Sequence, residues 1–228
     1  MPLLTRDDVR RAYELYGPPV GFVRGKTTRR QARFAVLDDD LILDQKKQVL
    51  SADVMHLDSY KYLVSVSEPL QLTLQTPVAH ESQMVLGMAL QSQLEVYRSR
   101  GFQPVRVYVD PQSTFWSLTT KYPGVVIDPS GAGDHVPKVD AKIRRIKEVY
   151  HGVKEDLPWK LPLVLAKDLV AYCVARQNVQ FTSAINQRVV PKALFTGLKV
   201  DFKKELSLAF VDYCEVYVGT DNTRFASL

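Results

Sequence analysis

Three aspartates stand where a two-metal phosphoryl-transfer centre needs carboxylates. Asp53 interrupts the apolar run Val49-Leu50-Ser51-Ala52-Asp53-Val54-Met55, Asp110 closes the run Val105-Arg106-Val107-Tyr108-Val109-Asp110, and Asp140 lies in the basic segment 137–147. Two divalent cations roughly 4 Å apart need bridging and flanking carboxylates to activate an attacking oxygen and to stabilise a leaving one. Hard oxygen donors of this kind suit Mg2+ or Mn2+. The chain holds 25 acidic residues, so the plain alternative for each Asp is an ordinary position at the end of a strand or on a solvated face.

Cations cluster around two of these segments. Lys138, Lys142, Arg144, Arg145 and Lys147 share one helical stretch, and Arg24, Lys26, Arg29, Arg30 and Arg33 share another with Gly25 and two threonines. Each cluster can neutralise phosphates and release counterions; each can equally be a solvated face. Arg144 and Lys147 follow Asp140 at i+4 and i+7, on the same side of a helix. A phosphate is held beside the scissile one by such a face.

The elements that position these residues follow from periodicity. Thr5, Asp7 and Asp8 open a helix that ends before Gly17-Pro18-Pro19. Residues 20–47 are mixed and read as a basic linker with a short strand at 34–37. Apolar runs at 49–55, 60–67 and 70–75 then predict three antiparallel strands, the last from the alternation of Leu70, Leu72 and Leu74. Leu86, Leu90, Leu94 and Tyr97 recur at helical spacing over 81–99. Strands follow at 103–110 and 124–128, then a Gly131-Ala132-Gly133 loop, a helix from Pro137 to about residue 151, and a helix over 161–177. Residues 206–228 predict one or two further strands. The organisation expected is an N-terminal helix and basic linker (1–47), a core (48–205) and the start of a C-terminal β segment (206–228).

Composition narrows the classes. The 228 residues are 46% hydrophobic with a net charge of +5, which fits a globular domain with an appendage. No apolar run approaches the ~20 residues of a membrane span, and the N-terminus lacks the apolar core of a secretory signal. An intracellular protein, nuclear or cytoplasmic, with no membrane partner is the expectation. Cys173 and Cys214 are the only cysteines, which excludes a zinc finger built from closely spaced Cys pairs. Cys173 falls on an apolar helix face, where a buried, inert thiol is expected. His56 and Asp58 follow Asp53 in the manner of a metal cluster, although a His at a strand end is more often a surface residue, while Phe115 and Trp116 near Asp110 suit either core packing or base stacking.

A βββαβ order with a loop and then a helix, and with acids on the first strand, at the end of the fourth and on that helix, resembles the ribonuclease-H-like fold. More specifically, Leu50-Ser51-Ala52-Asp53-Val54-Met55, Tyr62-Leu63-Val64-Ser65-Val66-Ser67 and the block from Asp134-His135-Val136-Pro137 to Glu148 resemble the integrase catalytic core of copia-type retrotransposon polyproteins. Leu157-Pro158, the stretch Phe195-Thr196-Gly197-Leu198-Lys199-Val200-Asp201-Phe202 and Asp212-Tyr213 are similar to that family's sequence after the core. The resemblance implies an α/β fold with a five-stranded mixed sheet flanked by helices. It also implies two Mg2+ (or Mn2+) ions held by Asp53, Asp110 and the acid on the helix, here Asp140 where the family carries Glu.

Metal-dependent trimming and joining of DNA 3′ ends is the activity this implies, with Lys142, Arg144, Lys147, Lys26, Arg29 and Arg30 on DNA and a homodimer or higher oligomer as the working form. Two other readings stay open: a domesticated, catalytically inactive DNA-binding or assembly module, and a ribonuclease-H-like nuclease.

Overall fold

The computed structural model describes residues 6–16, 46–110, 122, 124–129, 137–181, 189–212, 215–216 and 226–227. It divides into two compact units, Phe34–Asp212 and a smaller one made of Met1–Arg33 with Tyr213–Leu228. The smaller unit holds the helix α1 (Arg6–Tyr16) and two short antiparallel strands, β6 (Glu215–Val216) and β7 (Ala226–Ser227).

The larger unit is built on β1 (Lys47–Leu57), β2 (Tyr60–Glu68), β3 (Thr73–Val78), β4 (Gln103–Val109) and β5 (Val126–Pro129). Their order across the sheet is β3-β2-β1-β4-β5. β1, β2 and β3 pair antiparallel, whereas β4 runs parallel to β1 and β5 parallel to β4. Helices α2 (Gln83–Arg98), α3 (Pro137–Asp156), α4 (Leu163–Asn178) and α5 (Pro191–Thr196) flank the sheet, and α6 (Phe202–Glu205) follows with no buried residue. The five-stranded mixed sheet with flanking helices expected from the sequence is therefore present.

Period-two alternation along the strands sorts side chains into two cores. Leu50 and Ala52 of β1 and Val107 and Val109 of β4 pack on one face with Leu86, Leu90, Leu94 and Tyr97 of α2 and Leu194 of α5. Met55 and Leu57 of β1 and Tyr62 and Val64 of β2 pack on the other face with Val139, Ile143, Ile146 and Tyr150 of α3 and with Leu169 and Cys173 of α4. Cys173 is fully buried, and burial pushes its thiol up to about 11, as expected of an inert side chain. The Ser82 hydroxyl accepts from the Val85 N–H and starts α2.

Four elements differ from expectation. β3 begins at Thr73, because Pro69 cannot donate to a ladder and residues 67–72 close a turn in which the Ser67 N–H donates to the Leu72 carbonyl at 3.0 Å. Leu70 and Leu72 are buried by that turn, so their alternation reports burial and not strand. Next, α3 continues past Gly152 to Asp156; a Cβ at Gly152 would meet nothing within 4 Å, and half-buried Val153 and Leu157 carry the packing on. Last, the short helices α5 and α6 have no counterpart in the periodicity. Phe195 of α5 is held by tertiary contact, stacking on Phe102 at 5.8 Å and meeting Tyr97 edge-on at 6.1 Å. The strand expected at 34–37 and the Gly131-Ala132-Gly133 loop lie outside the described residues.

Candidate carboxylate site

Asp53 and Asp110 are set side by side by strand register. The parallel ladder pairs Ser51 with Tyr108 and Ala52 with Val109; Asp53 and Asp110 are the next residue on each chain after that last pair, on neighbours spaced about 4.8 Å apart. Alternation then decides the face. Ala52 and Val109 belong to the α2 core, so the next residue on each strand projects to the opposite face, where Met55 meets α3. The carboxyl-terminal ends of parallel strands in an open α/β sheet are where ligands are bound.

Asp140 comes to the same face from α3. Val139 and Ile143 are buried against β1 and β2, which leaves Asp140, between them in sequence, on an exposed flank of the helix. The convergence is read electrostatically. Burial holds the Asp53 carboxyl above its ordinary 3.8, the Val54 N–H lowers it, and the neighbouring charges of Asp140 and Asp110 raise it again. That N–H donates to Asp53 Oδ1 at 2.6 Å. Asp53 therefore lies within the field of two further carboxylates, and carboxylate oxygens are hard donors of the type that magnesium and manganese take. Their spacing is wider than their chemistry suggests: among the described residues no three His, Cys, Asp or Glu side chains close into a group that could hold a metal ion.

The cations of α3 fall beside the acids. Arg144 is exposed, Lys147 is half-buried, and Lys142 is half-buried with its ammonium pKa lowered by burial. Arg145 pairs with Glu148 at 3.4 Å, and Lys138 is bonded to Glu68 at the end of β2. Lys26, Arg29, Arg30, Phe115 and Trp116 lie outside the described residues. His56 is exposed, as expected, and its Nε2 lies 3.2 Å from Glu81, which also accepts from Lys61 at 2.6 Å.

A second polar group has no counterpart in the sequence reading. Asp58, in the turn between β1 and β2, accepts from the Tyr150 hydroxyl at 2.5 Å and from Lys154 at 3.0 Å. Those bonds hold its carboxyl below the ordinary carboxylate value. Tyr150 went unremarked in the sequence, and its partner lies 92 residues away; only the Asp-Ser pair between two strand-like runs hints at that turn.

Comparison with known proteins places the fold. The catalytic core of HTLV-2 integrase in complex with magnesium, in a dimeric form, matches at 15% identity with a TM-score of 0.49, over 64% of this chain and 93% of that one. The catalytic core of BIV integrase matches at 11% identity and a TM-score of 0.48, over 65% and 93%. A chain of the simian T-cell lymphotropic virus intasome in complex with PP2A regulatory subunit B56 gamma matches at 13% identity and a TM-score of 0.52, over 75% of this chain and 59% of that one. The fold is the ribonuclease-H-like one of integrase catalytic cores. No protein-family model and no curated protein matches the sequence.

Proposed function

We propose that this chain is the core of an integrase-type polynucleotidyl transferase, of the copia-type retrotransposon class that its sequence resembles. What supports the reading is the register that brings the ends of β1 and β4, with Asp53 and Asp110, together on the face that α3, with Asp140, packs against. Two magnesium or manganese ions would be held by these carboxylates; when bound, such ions activate an attacking oxygen and stabilise a leaving one. The reaction is in-line attack of a DNA 3′-hydroxyl on a phosphodiester: a new P–O bond forms as the bond to the leaving 3′-oxygen breaks. Phosphoryl transfer asks little covalent help of the protein, so this chain's own part is positioning and charge.

Arg144 and Lys147 hold the phosphates that flank the scissile one, joined by Lys142 at the helix edge and by Lys26, Arg29 and Arg30. DNA is then both substrate and partner, the nucleus is the place of action, and a homodimer or larger assembly brings two ends together, as the dimeric form of the HTLV-2 core illustrates for that protein. One observation favours a second reading, an inactive DNA-binding or assembly module. Asp140 is one methylene shorter than the Glu of the resembled family, and the described acids do not close into a ligand group.

Strand joining with labelled DNA ends in Mn2+, run beside salt-dependent DNA binding, separates the two. The transferase reading expects Asp53→Asn to abolish joining and to leave binding intact. Absence of joining and nicking by the parent chain, with binding preserved, overturns it in favour of the module; nicks without joined product favour a nuclease.

A further inference from the structure

Val139, Ile143, Ile146 and Tyr150 succeed one another along α3 at helical spacing and all four are buried against the sheet. Such a stripe fixes which side of the helix faces the strands. It fixes less firmly how far along them the helix sits, because a slide of one turn, about 5.4 Å, brings another apolar side chain, though one of different size, to each place. Polar contacts sharpen that setting, as single polar groups set register in packed helices.

Three contacts tie α3 to β2 and its turn. Lys138 is bonded to Glu68 at one end, and Lys154 and Tyr150 both reach Asp58 at the other. The lysines are long and flexible, Lys138 is 56% exposed, and a surface pair of that kind contributes little and can follow a shifting helix. Tyr150 differs. Its side chain is fully buried, and its hydroxyl donates at 2.5 Å to a carboxylate in a two-residue turn closed by the Leu57–Tyr60 pair. A rigid ring with its hydroxyl on a fixed acceptor allows one axial setting of the helix.

We infer that Tyr150 is a positioning residue: through Asp58 it sets the register of α3 along β1 and β2, and thereby the place of Asp140 opposite Asp53. The part that concerns Asp140 rests on the proposed metal-ligand reading of the carboxylates; the register itself is tested apart from it. Lys138 and Lys154 follow this setting and do not define it.

Three variants of the full chain isolate the hydroxyl. Tyr150→Phe keeps the ring and removes the donor. Asp58 has φ 49, a left-handed conformation that Asn and Gly accept, so Asp58→Asn keeps an acceptor and Asp58→Gly removes it without backbone strain. Metal-free hydrogen exchange is read along α3. Tyr150→Phe and Asp58→Gly are expected to speed exchange at residues 141–146 roughly tenfold, while Asp58→Asn stays near the parent. Faster exchange confined to residues 148–156 overturns the inference, because the hydroxyl then acts only on its own turn.

Mn2+ titration of the same proteins is the second arm. Tyr150→Phe is expected to weaken binding roughly tenfold, with Asp58→Asn again close to the parent. If Asp53→Asn leaves the parent's Mn2+ affinity unchanged, the carboxylate reading falls and the role in placing Asp140 falls with it. The exchange result still decides the register.

Discussion

Replacing Asp53 by Asn is expected to stabilise the metal-free protein, and to leave it less stable than the parent once a divalent cation is in excess. Burial, and then the charges of Asp140 and Asp110, hold the Asp53 carboxyl above 3.8 against the pull of the Val54 N–H. Asn keeps a carbonyl oxygen for that N–H, which Asp53 Oδ1 accepts at 2.6 Å, so the substitution removes charge with little loss of bonding. Two carboxylates about 5–6 Å apart on adjacent strands repel by about 3 kcal/mol at an effective dielectric near 20, and solvent screening of a part-exposed site cuts the recoverable gain to about 1–2 kcal/mol. For a body of this size that is a rise in Tm of about 2–8 °C.

The sign follows from linkage. A folded carboxyl with a raised pKa binds more protons than the unfolded one. The parent therefore loses stability as pH rises from the ordinary carboxylate pKa through the raised one, a loss the variant lacks. The two proteins should converge below about pH 4 and separate above it. With Mn2+ at roughly a hundred times its Kd the parent gains about 2.7 kcal/mol, and the order of stabilities reverses. Thermal unfolding by circular dichroism, in EDTA and in Mn2+ and across the acid-to-neutral range, reads both effects. A variant less stable than the parent in EDTA at neutral pH, or one that gains as much from Mn2+, refutes the reasoning.

Asp140→Glu restores the methylene by which the chain departs from its resembled family; because a misplacement of about 1 Å costs about a hundredfold, Mn2+-dependent joining should rise by roughly 10–100-fold, read as initial rates on labelled ends. Arg144→Ala and Lys147→Ala should each lower the slope of log affinity against log salt by about 0.9, with Tm essentially unchanged, as fluorescence anisotropy at several salt concentrations will report. Asn178 closes the outer edge of β3 by accepting from the Thr73 N–H at 2.9 Å and donating to its carbonyl at 2.8 Å. Asn178→Ala leaves two buried backbone groups unpaired and should cost about 2–4 kcal/mol in urea unfolding. Acid should also release the Asp58 anchor: its folded carboxyl lies below the ordinary value, so its stabilisation is present above about pH 4 and is lost as pH falls through that lowered pKa.

The strands that lead to Asp53 and Asp110 were legible, one as an apolar run and the other from its alternation, and both are present as β1 and β4; their parallel pairing is a long-range contact that neither run reports by itself. The α2 stripe Leu86, Leu90, Leu94 and Tyr97 was legible too: each of the four is almost fully buried. Leu70 and Leu72 misled, since the turn at 67–72 buries alternate residues without a ladder. The short helix α5 was hidden, because Phe195 is fixed by rings on α2 and before β4 and by no local pattern. Tyr150 was not singled out; its hydroxyl gains meaning only from an acceptor 92 residues distant, and no local pattern reports a partner at that range. The helix expected to end near residue 151 runs on, because a single glycine costs a helix only about 1 kcal/mol, less than the packing of Val153 and the Lys154–Asp58 pair on the following turn can return.

A crystal of this chain grown in Mn2+, with anomalous scattering recorded at the manganese edge, tests the carboxylate centre most directly. The expected map has metal peaks in contact with Asp53 and Asp110, with Asp140 supplying an oxygen at about 2.0–2.2 Å. A map without peaks at saturating Mn2+, or with Asp140 turned away from an ion held elsewhere, contradicts it.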